Sequence, residues 1–198
     1  MSDVEQTNHL VLDLAAPLEV KGKSISAITL REPIVRHVRQ AERVLIAGHG
    51  QAELRLYQIK LVAGVTGLDE EHVSKLPIRI LNAATRWLQP MINRKTEEGP
   101  AEQPDTHVLT LDPPVELSNR TVSELFLREP TAKEMQLAES HLRGQFGAGQ
   151  VRSYEVALVS RVSGVSEAVI ESLLITQHNE AIQYIENFSN AGQRIGAI

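Results

Sequence analysis

Four residues, Leu30-Arg31-Glu32-Pro33, return as Leu127-Arg128-Glu129-Pro130, and the offset of 97 residues aligns their neighbours as well. Val11-Leu12 with Leu14 matches Val108-Leu109 with Leu111; Pro17 matches Pro114, Glu19 matches Glu116 and Tyr57 matches Tyr154. Leu61-Val62 with Val65 and Gly67 returns as Leu158-Val159 with Val162 and Gly164. Residues 10–92 and 107–189 agree at about 24 of 83 positions without a gap, several times what an arbitrary register gives. The chain is a tandem duplication, which turns the fold problem into one unit solved twice. Its 198 residues divide into a first repeat over 1–92, a linker over 93–105 and a second repeat over 106–198. Each repeat is close to the size at which a single core becomes self-sufficient, so the two are expected to lean on one another.

Leu10, Leu12 and Leu14 alternate with polar or small residues, the period-two pattern of a half-buried strand. Pro17 is expected to interrupt that strand. Leu18–Val20 and Ile25–Leu30 then flank Lys21-Gly22-Lys23, a hairpin-like turn in which glycine tolerates positive φ. Asn119, the next most tolerant residue, replaces Gly22 in the second copy. Pro33 and Pro130 should mark the passage from last strand to first helix, since proline suits the first helical turn. Thr131 and Glu134 stand at capping-box spacing. Val38, Ala41 and Leu45 fall on one helical face, echoed by Met135, Ala138 and Leu142.

Glycine-containing breaks follow, at Gly48-His49-Gly50 and at Gly144, Gly147 and Gly149. The next helix carries Leu54, Tyr57, Leu61 and Val65, echoed by Val151, Tyr154, Leu158 and Val162. Gly67 and Gly164 sit where a helix C-cap glycine would. Asp69 and Ser166 are N-cap candidates for a short helix, and a last helix is expected over 78–92 and 175–188. The fold class is α+β: two tandem repeats, each a small antiparallel sheet (a hairpin or three strands) followed by three to four helices. Between them, Asn93 to Asp105 is polar and broken by Gly99, Pro100 and Pro104, the composition of an exposed linker.

Little in this sequence supports catalysis. With no cysteine, disulfides and thiolate chemistry are excluded. The seven histidines form no His-x-x-x-His pair, and none aligns with a histidine of the other copy, so no metal site is expected. The glycine-containing breaks lack the Gly-Lys-Ser/Thr ending of a phosphate loop. No nucleophile can be paired with a base. The expectation is a protein that is not an enzyme and uses no cofactor. A net charge of −5 opposes a nucleic-acid surface. No apolar run is long enough to span a membrane, and the polar residues 1–9 do not read as a secretory signal.

The repeated Arg-Glu corner remains. It either closes the junction of sheet and helix over packed leucine and proline, or forms part of a docking surface. On the second reading the candidate partner-binding residues are Arg31, Glu32, Arg36, Arg39, Arg128, Glu129 and Lys133. The first helix has diverged in charge: Arg36, His37 and Arg39 stand opposite Lys133, Glu134 and Gln136. If the corner is a docking surface, a more basic first-copy face is expected to meet the partner, and charge reversal there to cost little stability. Tyr57 and Tyr154 read as core residues with a hydroxyl near the surface.

A Val-x-Leu-x-x-Pro strand, a turn and a strand ending in Leu-Arg-Glu-Pro resemble the opening of the phage tail assembly chaperones of the E/41/14 type. The Leu-Val-x-x-Val-x-Gly runs at 61–67 and 158–164 are similar to that family's middle. The resemblance covers about 83 residues of each copy. It implies a non-enzymatic protein of the bacterial host cytoplasm, phage or prophage encoded, that binds the tape measure protein and assists tail tube subunits in assembling around it. The tail tube protein and self-association are further partner expectations. The rival expectation is a structural tail component, an adaptor or baseplate-associated protein retained in the virion.

Overall fold

In each repeat the alternating leucines form one arm of a two-stranded antiparallel ribbon. β1 (His9–Val20) pairs with β2 (Lys23–Arg31), and β3 (Thr106–Leu117) pairs with β4 (Arg120–Arg128). The computed structural model describes residues 9–46, 50–94, 104–117, 120–144 and 147–194. The register places Leu12 opposite Ile28 and Leu10 opposite Leu30, while Val11 and Thr29 pair on the other face. The inner face is covered by helices, as a lone ribbon must be to persist in water.

Pro17 does not interrupt β1. The register shifts between Asp13 and Leu18, and pairing resumes at Leu18 opposite Ile25. Proline sits in that irregularity, where no ladder amide is required of it. β3 shifts in the same way between Thr110 and Val115. Val20 pairs with Lys23 across a two-residue turn whose Lys21 and Gly22 have φ of 50° and 76°. Asn119, its counterpart in the second copy, lies outside the described residues, as do Gly48 and His49.

Both prolines mark the passage from strand to helix, each two residues before the first helical one. Ile34 stands at the N-terminal boundary of α1 (Val35–Glu42) without a side-chain cap, whereas Thr131 caps α5 (Ala132–Glu139). In the second copy the Thr131 hydroxyl accepts from the Glu134 amide, and the Glu134 carboxylate accepts from the Thr131 amide at 2.9 Å. Arg128 donates to the same carboxylate at 2.6 and 3.0 Å and holds the Glu134 carboxyl down at about 2. Leu45 lies beyond the end of α1, and Leu142 closes a short 3-10 turn, Ser140–Leu142. The apolar face therefore continues past each helix in a turn.

α2 (Gln51–Thr66) and α6 (Ala148–Ser163) end as expected. Gly67 and Gly164 each take φ of 72° and donate to the carbonyls of Ala63 and Ser160 at 2.9 Å. Asp69 and Ser166 precede α3 (Glu70–Ser74) and α7 (Glu167–Ile170), but neither side chain caps its helix. Asp69 instead pairs with Lys21 at 3.4 Å. α4 (Ile78–Ile92) has the expected bounds, while α8 (Ile175–Arg194) runs on past Phe188.

One apolar cluster spans both copies. It contains Leu30 and Leu127 of the repeated tetrapeptide, 0% and 1% exposed. Residues 95–103 of the linker lie outside the described residues. Its first part is anchored, because Arg94 pairs with Glu155 and Glu186 at 2.8 Å each.

Candidate partner interface

The two copies meet along a seam made from different surfaces of the same fold. The first copy contributes its Leu-Arg-Glu-Pro corner and α1; the second contributes the turn from α7 into α8 and the start of α6. Ile34 and Leu174 form an isolated antiparallel bridge, in which the Val35 amide donates to the Leu173 carbonyl at 3.0 Å. The Ile175 amide returns to the Pro33 carbonyl at 2.9 Å. A second bridge joins Ile46 to Gly147. At Gly147 an added Cβ would stand 2.3 Å from the Leu45 carbonyl oxygen, so glycine is needed for this approach.

The corner residues predicted from sequence divide between the copies. Glu32 accepts from the Thr176 amide at 2.9 Å and from its hydroxyl, placing a carboxylate at the start of α8, where the helix dipole favours negative charge. Arg36 and Arg39 pair with Glu171 at 3.6 and 2.8 Å. Arg31 is exposed. In the second copy Arg128 is tied to Glu134, while Glu129 and Lys133 are exposed. The corner thus closes the sheet-to-helix junction through Arg128 and Glu134 in the second copy, and in the first it acts through Glu32 as a docking surface within the chain.

The basic face expected on the first helix is therefore engaged at the seam, through Glu171. Arg39→Glu puts like charges together there, and the side chains involved are largely buried. It is expected to lower stability by about 1 kcal/mol or more, a fall in Tm of roughly 2–4 °C for each kcal/mol. Thermal unfolding followed by circular dichroism checks this.

Beneath the seam lies a cluster of charges that sequence reading did not single out. Arg152, from α6, donates through Nε and Nη2 to Glu42 of α1 at 3.2 and 3.1 Å, and through Nη1 to Glu155 at 2.9 Å. Arg94 reaches Glu155 from the other side and continues to Glu186. Burial pushes the Glu42 and Glu155 carboxyls up, and the arginines oppose that rise. Burial also works against the charge on Arg152, yet Glu42 and Glu155 outweigh it and raise its pKa. Tyr57, at the edge of the cluster, is pushed up to about 12 by burial and then by Glu42. His178 is fully buried, and burial followed by the two arginines lowers its pKa well below the ordinary value, which keeps it neutral. A network of this kind contributes little net stability, but it penalises any arrangement that separates its members.

The family model described as phage tail assembly chaperone proteins, E, or 41 or 14, matches residues 11–93 and again residues 108–190. The chain belongs to this family. No curated protein and no solved structure matches it. The two matches coincide with the two ribbon-and-helix units, so this tail assembly chaperone carries the family fold twice in one chain.

The chaperone also bears an apolar surface outside the seam. Val108 and Phe126 pair across the second ribbon, 47% and 64% exposed. They border a groove of about 580 Å³ shared with His107, Arg161, Val162 and Gly164. In the first copy the corresponding pair is Val11 and Thr29. Alternation along β4 already directs Phe126 away from the inward Leu125 and Leu127, and this was the signal available in the sequence. Among the described residues, no three His, Cys, Asp or Glu side chains are grouped to hold a metal ion. No described helix is long and apolar enough to cross a membrane.

Proposed function

We propose that this chain binds the tape measure protein before the tail tube encloses it, keeps it soluble and assists tube subunits in assembling around it, without catalysis, in the host cytoplasm. The observation that carries this reading is the exposed apolar groove at Val108 and Phe126 on a member of the tail assembly chaperone family. A long helical client with apolar faces needs such a groove, because a client helix binds by burying its apolar stripe. An aromatic anchor is the side chain best able to give the contact its energy. Two linked copies raise the effective concentration of a second contact along a repetitive client.

Phe126→Ser tests the assignment. The side chain is mostly exposed, so its replacement leaves the core intact. Capture of tape measure protein by the immobilised variant is expected to fall about tenfold or more, the effect of losing one anchor. Unchanged capture would remove the groove from the client-binding surface.

A further inference from the structure

Two copies of one fold can meet through the same patch on each, or through two different patches. Here the patches differ, so each copy keeps one half of the contact unused. The first copy's unused half is α2 with the turn from α3 into α4; the second copy's is α5 with its Leu-Arg-Glu-Pro corner. The 97-residue offset maps each internal contact onto these surfaces. Glu42 and Arg152 correspond to Glu139 and Arg55; Glu32 and Thr176 correspond to Glu129 and Arg79. Glu139, Arg55, Glu129 and Arg79 are all exposed. The apolar part follows suit: Ile175 is 0% exposed within the seam, whereas Ile78 is 53% exposed. The charges are complementary as they stand, glutamates on one half and arginines on the other.

The backbone is also prepared. Thr131 has φ −77° and ψ 153°, close to the −83° and 159° of Ile34 in the internal bridge. That bridge uses the amides of Val35 and Ile175, while the Leu174 amide donates to the Gln177 side chain at 3.1 Å. Pro77, which has no amide hydrogen, can therefore stand in Leu174's place without losing a bridge bond. Ile78 and Arg79 open α4, where a helix leaves its first amides without intrahelical acceptors. Arg55 is already held by Gln58 at 2.6 Å, just as Arg152 is held by Glu155.

We propose that the second copy of one chain docks on the first copy of another through this same contact, so that chains associate head to tail. The contact between chains is weaker than the one within a chain. Thr131 and Ala132 replace the larger Ile34 and Val35, Lys133 and Gln136 replace Arg36 and Arg39, and Ser74 replaces Glu171, so the ion pairs of the internal contact have no counterpart. Ala52 replaces Gly149, where a Cβ comes within 2.9 Å of the facing Arg43 Cα, so the two surfaces settle slightly apart. Association is therefore concentration-dependent. It proceeds past the dimer unless a ring closes, because each added chain brings a fresh pair of unused halves.

Sedimentation velocity of the full chain over a wide concentration range tests this. The weight-average mass should climb with concentration. Arg55→Glu alone and Glu139→Arg alone should each weaken association on the order of tenfold or more by placing like charges together. The double variant, which swaps the charges, should associate again, and so should an equimolar mixture of the two single variants. Ser74→Glu with Gln136→Arg rebuilds the internal pairing of Arg39 with Glu171 and should tighten association. These positions lie outside the buried network, so thermal unfolding should change little. A wild-type chain and a Ser74→Glu/Gln136→Arg variant that both stay monomeric would overturn the proposal. So would association indifferent to both single charge reversals.

Discussion

Arg152→Met is expected to destabilise the chain by about 3–5 kcal/mol at neutral pH, the cost of leaving buried charges without their counterion. Arg152 holds Glu42 of the first copy and Glu155 of its own, and all three are buried. Methionine fills similar space, so the loss is electrostatic. The dependence on pH identifies its origin. Burial raises both carboxyls above the ordinary glutamate value of 4.5, so the folded chain holds protons that the unfolded chain releases. Stability from this source is present below that value and is lost as pH rises through the raised folded pKa. Without Arg152 the rise is larger, so the deficit of the variant should be greatest near neutrality and should shrink in mildly acidic solution. Denaturant unfolding at several pH values measures it. Replacing Glu42 and Glu155 with leucine as well should recover much of the loss, since apolar substitutes for a buried ionic cluster are commonly tolerated.

Leu30→Ala and Leu127→Ala should each cost about 2–5 kcal/mol, through lost apolar burial and the cavity left behind. That corresponds to a fall in Tm of roughly 4–20 °C for a chain of this size. Both leucines lie on the inner face of their ribbon, one residue before the arginine of the repeated tetrapeptide, and both are almost wholly buried. Similar losses at the two positions are expected because the two sites are the same site in a duplicated fold. The copies share one apolar cluster and one charge network, so either variant should shift a single transition rather than split it. A loss at one leucine and none at the other would show that the tetrapeptide has different structural roles in the two copies.

The signals that proved legible in the sequence were local ones. Alternating leucines, a turn glycine, a proline before a helix and Gly67 and Gly164 after one each act within a few residues, and all but the turn glycine recur in the second copy. Pro17 was misread because a register shift accommodates proline inside a strand, and nothing local announces such a shift. Asp69 and Ser166 have the right residue type for capping, yet their side chains do not cap, which composition at one position cannot show. The seam was out of reach for a different reason. Glu42 and Arg152 are 110 residues apart, and each reads alone as a solvated helical charge. The available hint was that Glu42 with Glu139, and Arg55 with Arg152, are identical across the copies in helices whose other surface positions have drifted. The pairing of Arg36 and Arg39 with Glu171 was equally out of reach, because a basic helical face looks the same whether it meets a client or a glutamate of the neighbouring repeat.

In the proposed role the chain keeps a tape measure protein from aggregating. Its most direct test is soluble yield, with the tape measure protein expressed alone and together with this chain. Co-expression should move the client into the soluble fraction, and the two proteins should elute together in gel filtration. A tape measure protein equally insoluble with and without the chain would contradict it.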